Sequence, residues 1–212
     1  MQTTLQELES VFQQGTALFH AGRYADAYQN YIRCNELRPV TADVLNALGL
    51  AAFMLRNHAL AVHWFEALLR LTPDSADARL NLGSALYEQG QMEDALFHYD
   101  SVIATDGRNA QAFYNRGVVL RQLKRLDESE ASYLQAIALQ PDYPEAYSNL
   151  GVVYHERGRH DHALSCYQMA QSLKPDYAEA YSNAGATYLA LADYEASLQS
   201  YEQALQHNPA LP

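Results

Sequence analysis

The chain has 212 residues, about half of them apolar, enough to bury the core of one large domain or two small ones. Its formal net charge of −11 argues against a nucleic acid partner, because phosphate binding needs clustered Lys and Arg, and is compatible with basic or apolar partners. Two cysteines far apart, Cys34 and Cys166, provide neither a disulfide framework nor metal-ligand spacing, so a cytoplasmic protein with free thiols is expected.

The first residues lack a basic stretch followed by an apolar core, and no signal peptide is expected. The longest apolar stretch, 44–55, is interrupted by Asn46 and too short to span a bilayer, so no membrane association is expected. Residues 1–7 are read as an extension of the first helix. From Leu8 onward three series run in one register. Gly15, Gly49, Gly83, Gly117, Gly151 and Gly185 recur every 34 residues. Tyr31, Phe65, Tyr99, Tyr133, Tyr167 and Tyr201 keep the same step, as do Pro39, Pro73, Pro141, Pro175 and Pro209, with Gly107 in place of the missing proline. The units are 8–41, 42–75, 76–109, 110–143, 144–177 and 178–211, and no linker divides them, so residues 1–212 read as a single array.

Within a unit, apolar residues recur at helical spacing, as in Tyr147, Leu150, Gly151 and Tyr154. Gly22, Gly90 and Gly158 mark a turn in alternate units, where glycine supplies a left-handed helix cap. The prolines end the second helix of each unit. Asp142 with Glu145, and Asp176 with Glu179, are expected to cap the helices that follow. Small residues such as Gly151 and Ala163 are expected at the contacts between stacked units.

These residues together resemble the tetratricopeptide repeat (TPR). The segment 144–177 shows the pattern with Tyr147, Leu150-Gly151, Tyr154, Gly158, Ala163, Tyr167, Ala170 and Pro175. Departures are Ser129 and Ser197 for one alanine, Leu68 and Val102 for another, Arg79 for the first aromatic and Arg116 for the leucine. The resemblance implies an all-α fold, a right-handed superhelical solenoid of six helix-turn-helix hairpins. It implies a protein–protein interaction scaffold that is not an enzyme, binding a peptide or protein segment in a concave groove.

On a helical wheel, positions 4, 7, 8 and 11 of each unit share the packed side, and positions 2, 5, 6, 9, 12 and 13 lie opposite. The resemblance makes that opposite side the groove. Asn81, Asn115, Asn149 and Asn183 recur there at position 6 and are expected to grip a peptide backbone. This column is similar to the repeat region of O-linked N-acetylglucosamine transferases, which makes a substrate-recruiting region of a larger glycosyltransferase the alternative. Phe12, Phe19, Phe53, Tyr87 and Tyr114 are the expected apolar contacts, with Leu50, Met54 and Leu80 beside them. Acids at position 2 (Glu9, Asp43, Asp77, Glu145 and Glu179) suit helix N-termini.

No phosphate loop, paired-cysteine motif or nucleophile motif occurs, and no cofactor is expected. His155, His160 and His162 crowd one turn, but no metal is expected there. Arg116, Arg121, Lys124 and Arg125 form the one dense basic spot, read as solvated surface or as a site for an acidic partner. Apolar surface uncovered at both ends of the array motivates an expectation of homo-oligomers.

Overall fold

The computed structural model describes residues 2–37 and 41–210. These form twelve α-helices and, among the described residues, no strand: α1 (Gln2–His20), α2 (Tyr24–Leu37), α3 (Ala42–Met54), α4 (His58–Leu71), α5 (Ala76–Glu88), α6 (Met92–Thr105), α7 (Ala110–Gln122), α8 (Leu126–Leu139), α9 (Pro144–Glu156), α10 (His160–Leu173), α11 (Ala178–Ala190) and α12 (Tyr194–His207). They pair as six hairpins. The chain divides into two compact units, Met1–Val102 and Ile103–Pro212.

One glycine–aromatic contact closes each hairpin. A Cβ built on Gly151 would stand 2.5 Å from the Tyr167 ring, and one on Gly83 2.6 Å from Tyr99. Gly49 meets Phe65 in the same way. The glycine column therefore seats the aromatic column of its own hairpin. This corrects the expectation that Gly151 lies at a contact between units: the second helix approaches so closely that its ring takes the place of a side chain on the first.

All six hairpin turns have one geometry. Gly22, Gly90 and Gly158 have φ of 73°, 79° and 72°, and Arg56, Lys124 and Ala192, in the same register, have 61°, 59° and 59°. Each turn carries the same backbone pair, as in Gly158 N–H to His155 C=O and Arg159 N–H to Tyr154 C=O, a Schellman cap. The turn is thus imposed by hairpin closure even where a side chain makes the left-handed conformation costly.

The helix starts differ from expectation in the second unit. Thr41, Ser75 and Asn109 cap α3, α5 and α7, each accepting from the backbone N–H three residues on. At α9 and α11 that position belongs to Tyr143 and Tyr177, with no side-chain cap bond, so Asp142 and Asp176 are not the caps. Pro144 at the first helical position loses no bond there, since that N–H has no partner within a helix. The first helix begins at Gln2, so the extension is confirmed and Glu9 lies well inside α1 rather than at its N-terminus. Helices α4, α8, α10 and α12 each end two residues before a proline: Pro73, Pro141, Pro175 and Pro209. Pro39 lies outside the described residues.

The departures from the repeat pattern are accommodated. The buried hydroxyls of Ser129 and Ser197 donate to the carbonyls of Gly117 and Gly185 at 2.7 and 2.9 Å. Arg116 donates to the buried Ser132 hydroxyl at 2.7 Å, and Arg79 to the Pro73 carbonyl at 2.8 Å.

Candidate peptide-binding faces

In the first unit, α1 and α3 bring Phe12, Phe19 and Leu50 around an open cleft of about 340 Å³, with Thr16, His20, Tyr31, Asp43, Asn46 and Ala47 completing its lining. Phe12 leans on Tyr31 with ring centroids 5.5 Å apart, and Phe19 meets Tyr24 edge-on at 5.2 Å. Both rings are half-buried against the hairpin core, which holds them in place while leaving one side to the cleft. The Thr16 hydroxyl donates to the Phe12 carbonyl, so the floor shows little unsatisfied polarity. The charged group on the rim is the exposed Asp43 carboxylate. Phe53 and Tyr87 do not join the cleft: Phe53 packs edge-on against His58 at 5.3 Å, and both rings are half-buried elsewhere on the unit.

Asn81, also in the first unit, donates from Nδ2 to Asn46 Oδ1 at 3.3 Å, a bond from one first helix to the preceding one. The second unit repeats this step. Asn149 donates to the Tyr114 hydroxyl at 3.0 Å and Asn183 to Ser148 Oγ at 3.5 Å. Position 6 of one hairpin thus bonds to position 5 of the hairpin before it. Asn115 instead accepts from Gln111 Nε2 at 2.8 Å within its own helix, since position 5 of the preceding hairpin is the apolar Leu80. The asparagines therefore stitch neighbouring hairpins together. Among the described residues, Oδ1 of Asn149 and of Asn183 has no intrachain partner. Both side chains are half-buried, leaving one acceptor each for a peptide N–H.

Two tyrosines missed in the sequence belong to this face. Tyr143 lies over Tyr114 with centroids 4.9 Å apart, and its hydroxyl donates to Gln111 Oε1 at 3.0 Å. Burial raises the Tyr143 hydroxyl well above the ordinary tyrosine range, reinforced by Tyr114 and Glu145. Tyr177, in the same register, is pushed up to about 12 by burial and by Tyr114, Glu145 and Glu179. Both hydroxyls stay neutral at physiological pH and act as hydrogen-bonding groups. Their signal was available in the sequence: they stand in the register of Thr41, Ser75 and Asn109, where a polar cap recurs.

The basic spot is neutralised from within. Arg121 and Lys124 pair with Glu156 at 3.1 and 2.8 Å, Arg125 with Glu128 at 2.7 Å, and Arg116 lies 3.8 Å from Glu128. An acidic partner would have to compete with these carboxylates. The histidines diverge: His155 bonds Thr187 at 2.9 Å, while His162 packs on Tyr154. Among the described residues no cluster of His, Cys, Asp or Glu is arranged to hold a metal ion, and no helix is long and apolar enough to cross a membrane.

The TPR repeat family matches residues 83–124 and 119–158, and tetratricopeptide repeat families match 12–76, 144–177 and 178–211. A search of curated proteins gives no match. Among solved structures the chain is similar to PilW, a widely conserved type IV pilus biogenesis factor, at 21% identity and a TM-score of 0.85, covering 97% of this chain and 96% of that one. It is similar to a thermophilic TPR protein of Thermus thermophilus at 26% identity and a TM-score of 0.71, covering 86% and 99%. It is also similar to YrrB, a TPR protein with an unusual peptide-binding site, at 21% identity and a TM-score of 0.62, covering 85% and 93%. The chain belongs to the tetratricopeptide repeat proteins. It is a protein-interaction scaffold, of a class that is typically not enzymatic.

Proposed function

We propose that the scaffold holds an extended peptide or protein segment. A bulky apolar side chain enters the cleft of the first unit, and main-chain N–H groups meet the asparagine acceptors of the second. The observation that carries this is the open cleft bounded by Phe12, Phe19 and Leu50, an uncovered apolar surface built on rigid helices. The Asp43 rim favours a basic residue beside the apolar one. The likeness to YrrB is one of fold, and agrees with peptide binding without locating it.

Peptides selected from a random display library on the intact chain test the reading. Their affinity should fall at least about tenfold, roughly 1.4 kcal/mol, in Leu50→Asp and in Phe19→Ala while helix content is retained. Selected peptides that bind both variants as tightly as the parent chain would sink it.

The asparagine column favours a second reading, in which the array recruits substrates for a glycosyltransferase. It predicts that the selected peptides are acceptor segments rich in Ser and Thr. Either reading goes with a reducing, cytoplasmic setting, since Cys34 and Cys166 are both free and buried.

A further inference from the structure

The residues that meet a neighbour inside the array run uncovered along α12. Four second helices, α2, α4, α8 and α10, are each covered by the first helix of the next hairpin. Tyr31 and Cys34 pack there with Val44, Leu48 and Ala51, and Tyr133 with Leu150 and Val153. On α12 the corresponding side carries Tyr194, Leu198, Tyr201 and Leu205, a single stripe at helical spacing about 17 Å long. Tyr194, Leu198 and Leu205 are 69%, 62% and 49% exposed, and Tyr201 is half-buried where its counterparts Tyr133 and Tyr167 are fully buried.

The flank of this stripe is acidic. Glu195 and Glu202 are both exposed beside it. The chain shows what meets such acids. Asp127, at the position on α8 that Glu195 holds on α12, pairs with Arg157 at 2.7 Å, and Glu130 pairs with Arg159 at 3.1 Å. Both arginines come from the C-terminal end of the covering α9 and its turn.

A second copy of the chain fits poorly. Its first helix would offer Ser10, Gln14 and Ala17, exposed residues of which two are polar, where α9 offers Ala146, Leu150 and Val153. The expectation of apolar surface at both ends is thereby corrected: the α1 end is already solvated, as a terminal repeat requires. Two α12 helices would set Glu195 and Glu202 against their twins in a chain of net charge −11.

We propose that α12 docks an amphipathic helix of another polypeptide. That helix carries small and aliphatic residues at three- and four-residue spacing and arginine or lysine at its C-terminal end, facing Glu195.

The probe is a labelled peptide of this chain's own residues 142–160, which carries Ala146, Leu150, Val153, Arg157 and Arg159. Fluorescence anisotropy with the intact chain should show saturable binding. Leu198→Glu, at an exposed position, should weaken it at least about tenfold with the circular dichroism spectrum unchanged. Reversing both peptide arginines to glutamate should weaken it too, and Glu195→Lys should restore it. Absence of saturation, or equal binding by the Leu198→Glu variant, overturns the proposal. So does a wild-type dimer that Leu198→Glu dissociates in sedimentation, because the occupant is then a second copy. A further hairpin of the same polypeptide that seats on α12 and excludes the probe overturns it as well.

Discussion

Asn149 donates a 3.0 Å hydrogen bond to the hydroxyl of Tyr114, one hairpin earlier in the chain. The bond makes Asn149 both a stitch between hairpins and a neighbour of the tyrosine face. Its two amide ends have separate duties: Nδ2 serves the fold, while Oδ1 is left for a ligand. Asn149→Ala and Tyr114→Phe should each cost about 0.5–1.5 kcal/mol of stability in urea denaturation, and the double variant little more than either alone. Fully additive losses would mean that the two side chains act independently.

Gly151→Ala should destabilise the protein by about 1–3 kcal/mol, because the new methyl group would stand 2.5 Å from the Tyr167 ring inside a closed hairpin. Gly185→Ala should cost less, since the nearest Tyr201 atoms are 3.1 Å away and that ring is only half-buried. Equal losses for the two in thermal or chemical unfolding would contradict the seating of the aromatic column.

At the turns, Lys124→Gly and Ala192→Gly should stabilise the chain by up to about 1 kcal/mol by relieving the left-handed conformation at φ of 59°. Gly158→Ala, at φ of 72°, should do the opposite. Unfolding midpoints in urea, compared at constant slope, decide the matter.

Acid should weaken the fold through two histidines. Burial lowers the pKa of His155, with His160 adding to the effect against Glu156. Burial likewise lowers that of His98, with Arg79 adding to it against Asp94 and Glu66. Each folded pKa lies below the unfolded value of about 6.5, so on acidification the unfolded chain takes up the proton first. Stability is full above that value, declines as the pH falls through the window down to the folded pKa, and is level again below it as far as these groups are concerned. His155→Gln should flatten the pH dependence of the melting temperature between about pH 5 and 7. An unchanged slope would assign the effect to other groups.

The repeat length, the hairpin count and the helix-ending prolines were legible in the sequence because each depends on spacing along the chain. A 34-residue step in three residue types leaves little freedom in the fold. Half of the turns were legible too, where glycine announced a left-handed residue at Gly22, Gly90 and Gly158. Arg56, Lys124 and Ala192 gave no such sign, because the closing contact of each hairpin, and not local preference, holds them there. Asp142 and Asp176 looked like caps on local chemistry. Tyr143 instead stands at the cap position, where its ring gains contact with Tyr114 across a hairpin boundary. The asparagine column was visible, but its use was not: bonds such as Asn149–Tyr114 and Asn183–Ser148 join residues 35 apart in sequence. The wheel of one helix cannot show what the helix beside it offers. Of the five aromatic residues expected as contacts, only Phe12 and Phe19 line the cleft. A face is set by sequence periodicity, but a cleft requires two helices at a definite separation, and tertiary packing supplies that separation.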